Sequence, residues 1–253
     1  MRSINLKHAV LGMTITLLLV PASAARAQFA SAPTEHPWSV EFGIGWDNDI
    51  SGNINSSGIG QLRGQTVVIL KNSYEDVYGT GLHLRFGGGY MFRPDTEFRA
   101  TFTFQSLDAD FVVPMGDIGV SKLYGQYTDY QTFGLDVGGR RYGNITEKIR
   151  GYGEATLGIG FVDKTDVTLV APSINLTGQA DDFYDQTAAF AFGFGGGLMF
   201  QTGERWDVFT QIGFRWMSGM ADIDDLEATG LESINDKSSR WTMPLIAGVR
   251  LRF

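Results

Sequence analysis

At 253 residues, with 20 basic and 28 acidic side chains, the chain carries a formal charge of −8. That balance argues against nucleic acid as a partner, since phosphate binding needs a surface dominated by Lys and Arg. Cysteine is absent, which excludes disulfides, a thiolate nucleophile and Cys-ligated metal, and 33 glycines beside 13% aromatics are an unusual pair for a soluble enzyme.

Residues 1–27 read as a signal peptide. Arg2 and Lys7 make a positive start, residues 9–20 are apolar, and Pro21 breaks the run. Ala25-Arg26-Ala27 then offers small residues at the −3 and −1 positions, with Ala22-Ser23-Ala24 as a second candidate cut. The apolar run is shorter than the roughly 20 residues a membrane helix needs. Removing Arg2, Lys7 and Arg26 leaves 17 basic and 28 acidic residues, a charge of −11. No later stretch is long enough for a membrane helix, so membrane insertion has to use strands in a closed barrel. A single barrel domain over residues 28–253, with four long external loops, is the expected organisation.

After a short lead, residues 28–37, apolar and polar residues alternate in runs of about ten, the length of a tilted transmembrane strand. The runs fall at 38–46, 81–92, 96–105, 131–142, 148–161, 187–200, 205–217 and 239–253, which predicts eight strands. Phe98, Ala100, Phe102 and Phe104 alternate with Glu97, Arg99, Thr101, Thr103 and Gln105. In the last run Trp241, Met243, Leu245, Ala247, Val249, Leu251 and Phe253 share one face, and Arg250 and Arg252 take the other. Pro244 removes one ladder donor there and predicts a bulge. The connections alternate too. Those at Arg93-Pro94-Asp95, Gly143-Asn144 and Thr202-Gly203-Glu204 are short, whereas 47–80, 106–130, 162–186 and 218–238 are long and polar. Short turns on one side and long loops on the other are the outer-membrane pattern, and an even strand number returns the chain to its starting side. Two readings compete with this one. The apolar runs 66–70 and 167–170 are strand-like, and an extra hairpin makes ten strands. A soluble lipocalin-like barrel hides its apolar rows inside, but eight strands leave little interior room for so many large aromatics.

The terminal Gly248-Val249-Arg250-Leu251-Arg252-Phe253 resembles the C-terminal signal of outer-membrane proteins, a final aromatic preceded by alternating hydrophobics. Ile246 departs from that pattern. Gly248, Val249, Leu251 and Phe253 carry the likeness, which implies recognition by the barrel-assembly machinery. With its Gly-rich aromatic run Phe192-Gly193-Phe194-Gly195-Gly196-Gly197, the mature chain also resembles the eight-stranded porin-like surface proteins. That group includes the OmpA transmembrane domain, the opacity proteins and the Ail/Lom family. The resemblance implies an all-β antiparallel transmembrane barrel in a bacterial outer membrane, in contact with lipid and lipopolysaccharide. It also implies a structural, adhesion or other surface role with an extracellular ligand that it does not specify.

Alternation places Glu41, Glu97, Asp136, Glu154 and Asp207 in the lumen with Arg85, Arg99, Arg140, Arg150, Arg215, Arg250 and Arg252. Strand closure puts Arg250 and Arg252 within reach of Glu41. The first reading is a buried ion-pair network that plugs a narrow barrel. The alternative is a porin-like channel for small solutes or hydrophobic molecules, gated by arginines that change partners; luminal glycines such as Gly87, Gly193, Gly195 and Gly197 leave room for it. Catalysis is not expected. The mature chain has two histidines, His36 in the lead and His83 facing the lumen, and neither belongs to a nucleophile motif. No cofactor is implied. Asp222, Asp224, Asp225, Glu227, Glu232 and Asp236 crowd the fourth loop against Lys237, but without the order of a calcium loop. Residues 111–115 and 66–70 are oily for solvated loops, and either pack on each other above the barrel or face a partner.

Overall fold

In the computed structural model the described residues are 36–253, except Arg63, Phe111, 222–228 and 236–237. The leader at 1–27 and most of the fourth-loop acid (Asp222, Asp224, Asp225, Glu227 and Asp236, with Lys237) lie outside the described residues.

Strand β1 is Trp38–Asp47, followed by β2 (Asp49–Asn55), β3 (Gly58–Leu62), β4 (Gln65–Ile69) and β5 (Asn72–Ser73). A single helical turn, Tyr74–Val77, leads into β6 (Gly81–Arg93) and β7 (Thr96–Leu107). Next come β8 (Val113–Ile118), β9 (Ser121–Tyr127), β10 (Tyr130–Asn144) and β11 (Ile149–Val162). The chain continues through β12 (Thr165–Ala171), β13 (Leu176–Tyr184), β14 (Thr187–Gln201) and β15 (Trp206–Met217). It ends with β16 (Arg240–Thr242) and β17 (Leu245–Arg252).

Eight of these, β1, β6, β7, β10, β11, β14, β15 and β17, pair antiparallel with their neighbours in sequence. The ring closes where β1 meets β17, with Glu41 opposite Arg250 and Phe42 opposite Val249. Phe253 takes part: it accepts a hydrogen bond from the Trp38 amide at 3.1 Å and donates one back at 2.9 Å. The barrel strands match the eight alternating runs closely. Pro244 does interrupt the last one, splitting β16 from β17. The ladder survives because the Met243 amide donates to Asn48 O at 2.8 Å and the Gly213 amide to Pro244 O at 3.0 Å.

Alternation decides what faces where. On β1, Ser39, Glu41 and Asp47 are buried inside while Trp38, Phe42 and Trp46 are exposed outside. The same holds around the ring, so the exterior is a belt of Phe, Leu, Ile, Val and Trp. On β14 the outward row runs from Phe200 to Phe190. At about 3.3 Å per residue and a tilt near 40°, it spans roughly 25 Å, the height of a membrane barrel's apolar band. A polar collar ends the belt on the long-connection side: Asn48, Thr80, Ser106, Gln131, Asp163 and Ser218.

The first three long connections are not irregular loops. Residues 66–69 of the first apolar run and 167–170 of the second lie in strands, but they add nothing to the barrel count. They join a second sheet in the order β13-β12-β9-β8-β4-β3. Its inner face buries Val67, Ile69, Met115, Ile118, Leu123 and Val167 in one apolar core over the barrel mouth. Of the oily segments, Val67, Ile69, Val113 and Met115 therefore pack on one another, as a cap, while Val68 and Leu70 face out. The fourth connection packs against the β3 end of this sheet. Gly58 and Gly60 lack a side chain where a Cβ would lie 2.6 Å from Ile234 and from Leu231. At the other end, Asn235 donates to Phe183 O at 3.0 Å and the Asp185 amide to Ala221 O at 3.0 Å.

Buried phenols need partners, and these have them. Tyr74 donates to Ser238 O at 2.8 Å, Tyr127 to Asn55 Oδ1 at 2.9 Å and Tyr184 to Ile54 O. Burial pushes the Tyr74 and Tyr127 phenols well above the usual tyrosine range. The folded cap thus holds them protonated. Their contribution is complete below about pH 10, the ordinary tyrosine value, and is lost as pH climbs through their raised values. Alkaline titration followed by tyrosinate absorbance and limited proteolysis should therefore loosen the cap above about pH 10 while the barrel stays intact. Simultaneous loss of cap and barrel would contradict this.

Candidate functional site: a lumen closed at two levels

The lumen is layered. Nearest the short turns, Asp207 meets Arg252 at 3.1 Å and Arg150 at 3.9 Å. Arg150 also lies over the Tyr142 ring, 4.7 Å from its centre.

Above this layer, Glu41 accepts paired hydrogen bonds from Arg99 at 2.8 and 2.6 Å and from Arg140 at 2.6 and 3.3 Å. Such two-pronged contacts suit the planar guanidinium. Arg250 reaches Glu41 at 3.8 Å and binds Glu97 at 2.8 Å. Glu97 is also held by Ser39 at 2.7 Å and by the Tyr142 hydroxyl, which accepts from Arg250 in turn. Arg140 passes from Glu41 to Glu154 at 2.8 Å, its guanidinium 4.1 Å from the centre of the Tyr152 ring. Glu154 then meets Arg85 at 2.9 Å and Gln211 at 2.7 Å. Arg215 pairs with Asp136 at 3.2 Å and donates to Thr103 at 2.9 Å.

All twelve charged residues read from the alternation thus lie in the lumen and meet an opposite charge. One expectation changes. Arg252 does not reach Glu41; it pairs with Asp207, because the ladder sets Arg252 opposite Ser39, two residues below Glu41. Tyr142, Tyr152, Met199, Phe209 and Ile246 pack among these charges as a small apolar cluster. Glu41, Glu97, Arg99, Arg140 and Arg250 are each 2% exposed or less, so side chains fill this layer.

Over the plug sits a small chamber lined by His83, Arg85, Thr101, Asp136, Gln211 and Arg215. The space open to water centres is ≈ 50 Å³, enough for a few waters. Its roof is a second polar layer. Asp47 faces His83 Nδ1 at 3.1 Å and accepts from Gln105 at 2.7 Å. Gln105 accepts in turn from Arg240, whose guanidinium is 3.8 Å from the centre of the Tyr130 ring. The apolar cap begins there. Asp47, Gln105 and Arg240 were not among the charges and polar partners singled out from the sequence. Asp47 is the residue just past the end assigned to the first run, and parity continued by one residue would have found it. Among the described residues, no group of three His, Asp or Glu side chains is placed to hold a metal ion.

Removing Glu41 leaves Arg99 and Arg140 short of their central carboxylate, in a site water does not reach. Breaking a buried pair costs about 3–5 kcal/mol. Glu41→Ala should therefore lower the unfolding free energy in lipid vesicles by that amount. Arg141→Ala, at the exposed Arg141–Asp95 contact of 3.3 Å, should change it by no more than about 0.5 kcal/mol. Equal effects in denaturant titrations would contradict the plug.

No protein-family model and no curated protein matches the chain. Among solved structures it is similar to Neisserial surface protein A, with a TM-score of 0.46 and 10% identity over 86% of this chain and 97% of that one. It is similar to the outer membrane protein OprG from Pseudomonas aeruginosa, with a TM-score of 0.41 and 13% identity over 86% and 97%. The outer membrane protease OmpT from Escherichia coli gives a TM-score of 0.42 and 8% identity over 85% and 96%. These likenesses concern the fold. By its own ring of pairings and its apolar exterior, the chain is an all-β, eight-stranded antiparallel up-and-down barrel of the transmembrane kind.

Proposed function

We propose that this chain is a non-enzymatic outer-membrane protein with a structural or surface-interaction role, its termini in the periplasm and its cap outside the cell. The observation that carries this reading is the double closure of the lumen: a buried arginine–carboxylate plug below and a folded apolar cap above. A solute pathway needs a continuous wet lining, whereas across the lower layer Glu41, Arg99, Arg140 and Arg250 are buried against one another. Catalysis needs a reactive group that a substrate can reach. His83 is 3% exposed and engaged by Asp47 inside that chamber. What the protein offers its surroundings is therefore its outer wall and its cap.

Location follows from the same physics. The wall exposes Trp46, Phe86, Phe102 and Phe161 over a band that only hydrocarbon accepts without penalty. Val249, Leu251 and Phe253 lie on that lipid-facing side of the closing strand. Gly248 lies on the other, where a Cβ would meet Phe42 O at 2.2 Å. This is the strand we assign to recognition by the barrel-assembly machinery, with lipid and lipopolysaccharide as the standing neighbours.

Purified refolded protein in a planar bilayer should show no steady conductance. Reproducible conductance steps, altered when Glu41 or Arg250 is changed, would replace this reading with that of a narrow channel.

A further inference from the structure

The cap carries an apolar surface of its own, apart from the membrane belt. On β3 and β4 the alternates of the core residues point outward: Ile59 is 70% exposed and Val68 37%, and Leu70, just beyond β4, is 50% exposed. Val68 lies between Ile59 on β3 and Asp117 on β8. A second row lies level with Leu70, whose amide donates to Met115 O at 2.7 Å: Pro114 on β8, Tyr124 on β9 and Val170 on β12 face one another in register. The polar collar of Asn48, Thr80, Ser106 and Gln131 lies between this row and the belt, so lipid does not cover it. A contiguous apolar patch left on the water side marks an interaction surface.

We propose that this face docks a polypeptide segment that is both apolar and cationic. Charge decides among the occupants. Among the described side chains of the segments 48–80, 106–130, 162–186 and 218–238, ten are acidic and three are basic. A second copy of the chain, lipopolysaccharide or an acidic glycan brings like charge to that surface, and the repulsion acts over about 8 Å at physiological salt. A basic segment gains from both features of the face. Directly beneath the apolar row the backbone brings two acidic stretches together: the Asp110 amide donates to Val77 O at 2.8 Å, and Tyr78 bridges to Ala109. Asp108 and Asp110 flank that contact on one side and Glu75 precedes it on the other, all three exposed. Lys122, on the same face, is already held by Asp117 at 2.7 Å. An extended segment with alternating apolar and basic residues places one row on Ile59, Val68 and Leu70 and its cations over these carboxylates. The inference rests on the surface-interaction reading above.

The test uses the full chain in nanodiscs of zwitterionic phosphatidylcholine, with empty discs as the blank. Three labelled peptides of equal length serve as probes: alternating lysine and valine, alternating lysine and serine, and alternating glutamate and valine. The lysine–valine peptide should bind at least about tenfold tighter than either of the others. Its affinity should fall as salt rises. Ile59→Thr, Val68→Thr and Leu70→Thr combined should weaken it about tenfold. Glu75→Gln, Asp108→Asn and Asp110→Asn combined should weaken it about threefold to tenfold and flatten the salt dependence. Both variants are first shown to keep the heat-dependent gel shift of a folded barrel. Unchanged binding by the apolar variant, or equal binding of the glutamate–valine peptide, overturns the proposal. A conducting barrel that still binds the lysine–valine peptide overturns the closed-lumen reading alone. A closed barrel that ignores this peptide overturns the docking face alone.

Discussion

Everything in this molecule depends on the ladder between β1 and β17. In hydrocarbon an unpaired amide or carbonyl has no water to turn to, so a sheet there either closes or does not exist. Closure at Glu41–Arg250 and Trp38–Phe253 removes both edges at once. It also brings the first and last strands' charges into one small volume. The plug is thus a direct consequence of the ring: Arg99, Arg140 and Arg250 come from three different strands, and Glu41 is where they meet. Eight strands leave an interior about one side chain deep from every wall. Long guanidinium groups fill it while the glycines let strands pass.

The ring imposes a second condition, that inside and outside are reversed relative to a soluble domain. Apolar rows face out and charges face in through the membrane band, and above the collar the order switches. There Val67, Ile69 and Met115 turn inward, while Glu75, Asp108 and Asp110 are exposed. One chain thus alternates in one sense for the hydrocarbon and in the opposite sense for water. The collar from Asn48 to Ser218 is the level at which the sense changes. The fold is therefore two β structures stacked end to end, one with a polar interior and one with an apolar one.

The barrel was legible because its signal is local. Phe98, Ala100, Phe102 and Phe104 announce a strand and its lipid-facing side without reference to any other residue, and the short turns fix the neighbour order. The cap was only half legible. Residues 66–70 and 167–170 look like strands by composition, but β4 finds β8 and β9 finds β12 across long sequence separations, and no local pattern states that pairing. In the lumen, parity supplied the twelve charged side chains, whereas partners depend on register. Arg252 lies two positions from Arg250 on the same face, yet the ladder gives one to Asp207 and the other to Glu97 and Glu41. Tyr142, Gln211 and Arg240 were missed for the same reason: a tyrosine, an amide or a strand-end arginine becomes a network member through what stands opposite it.

The six-stranded cap sheet draws its strands from three separate connections, and a fourth packs against it. Within one connection the longest local piece is a hairpin, and an isolated hairpin is marginal in water. The cap accordingly has no stable form until the hairpins beneath it have been inserted and their connections have reached the same side. Assembly therefore has a built-in order. The apolar core over the mouth condenses only after the wall below it is complete.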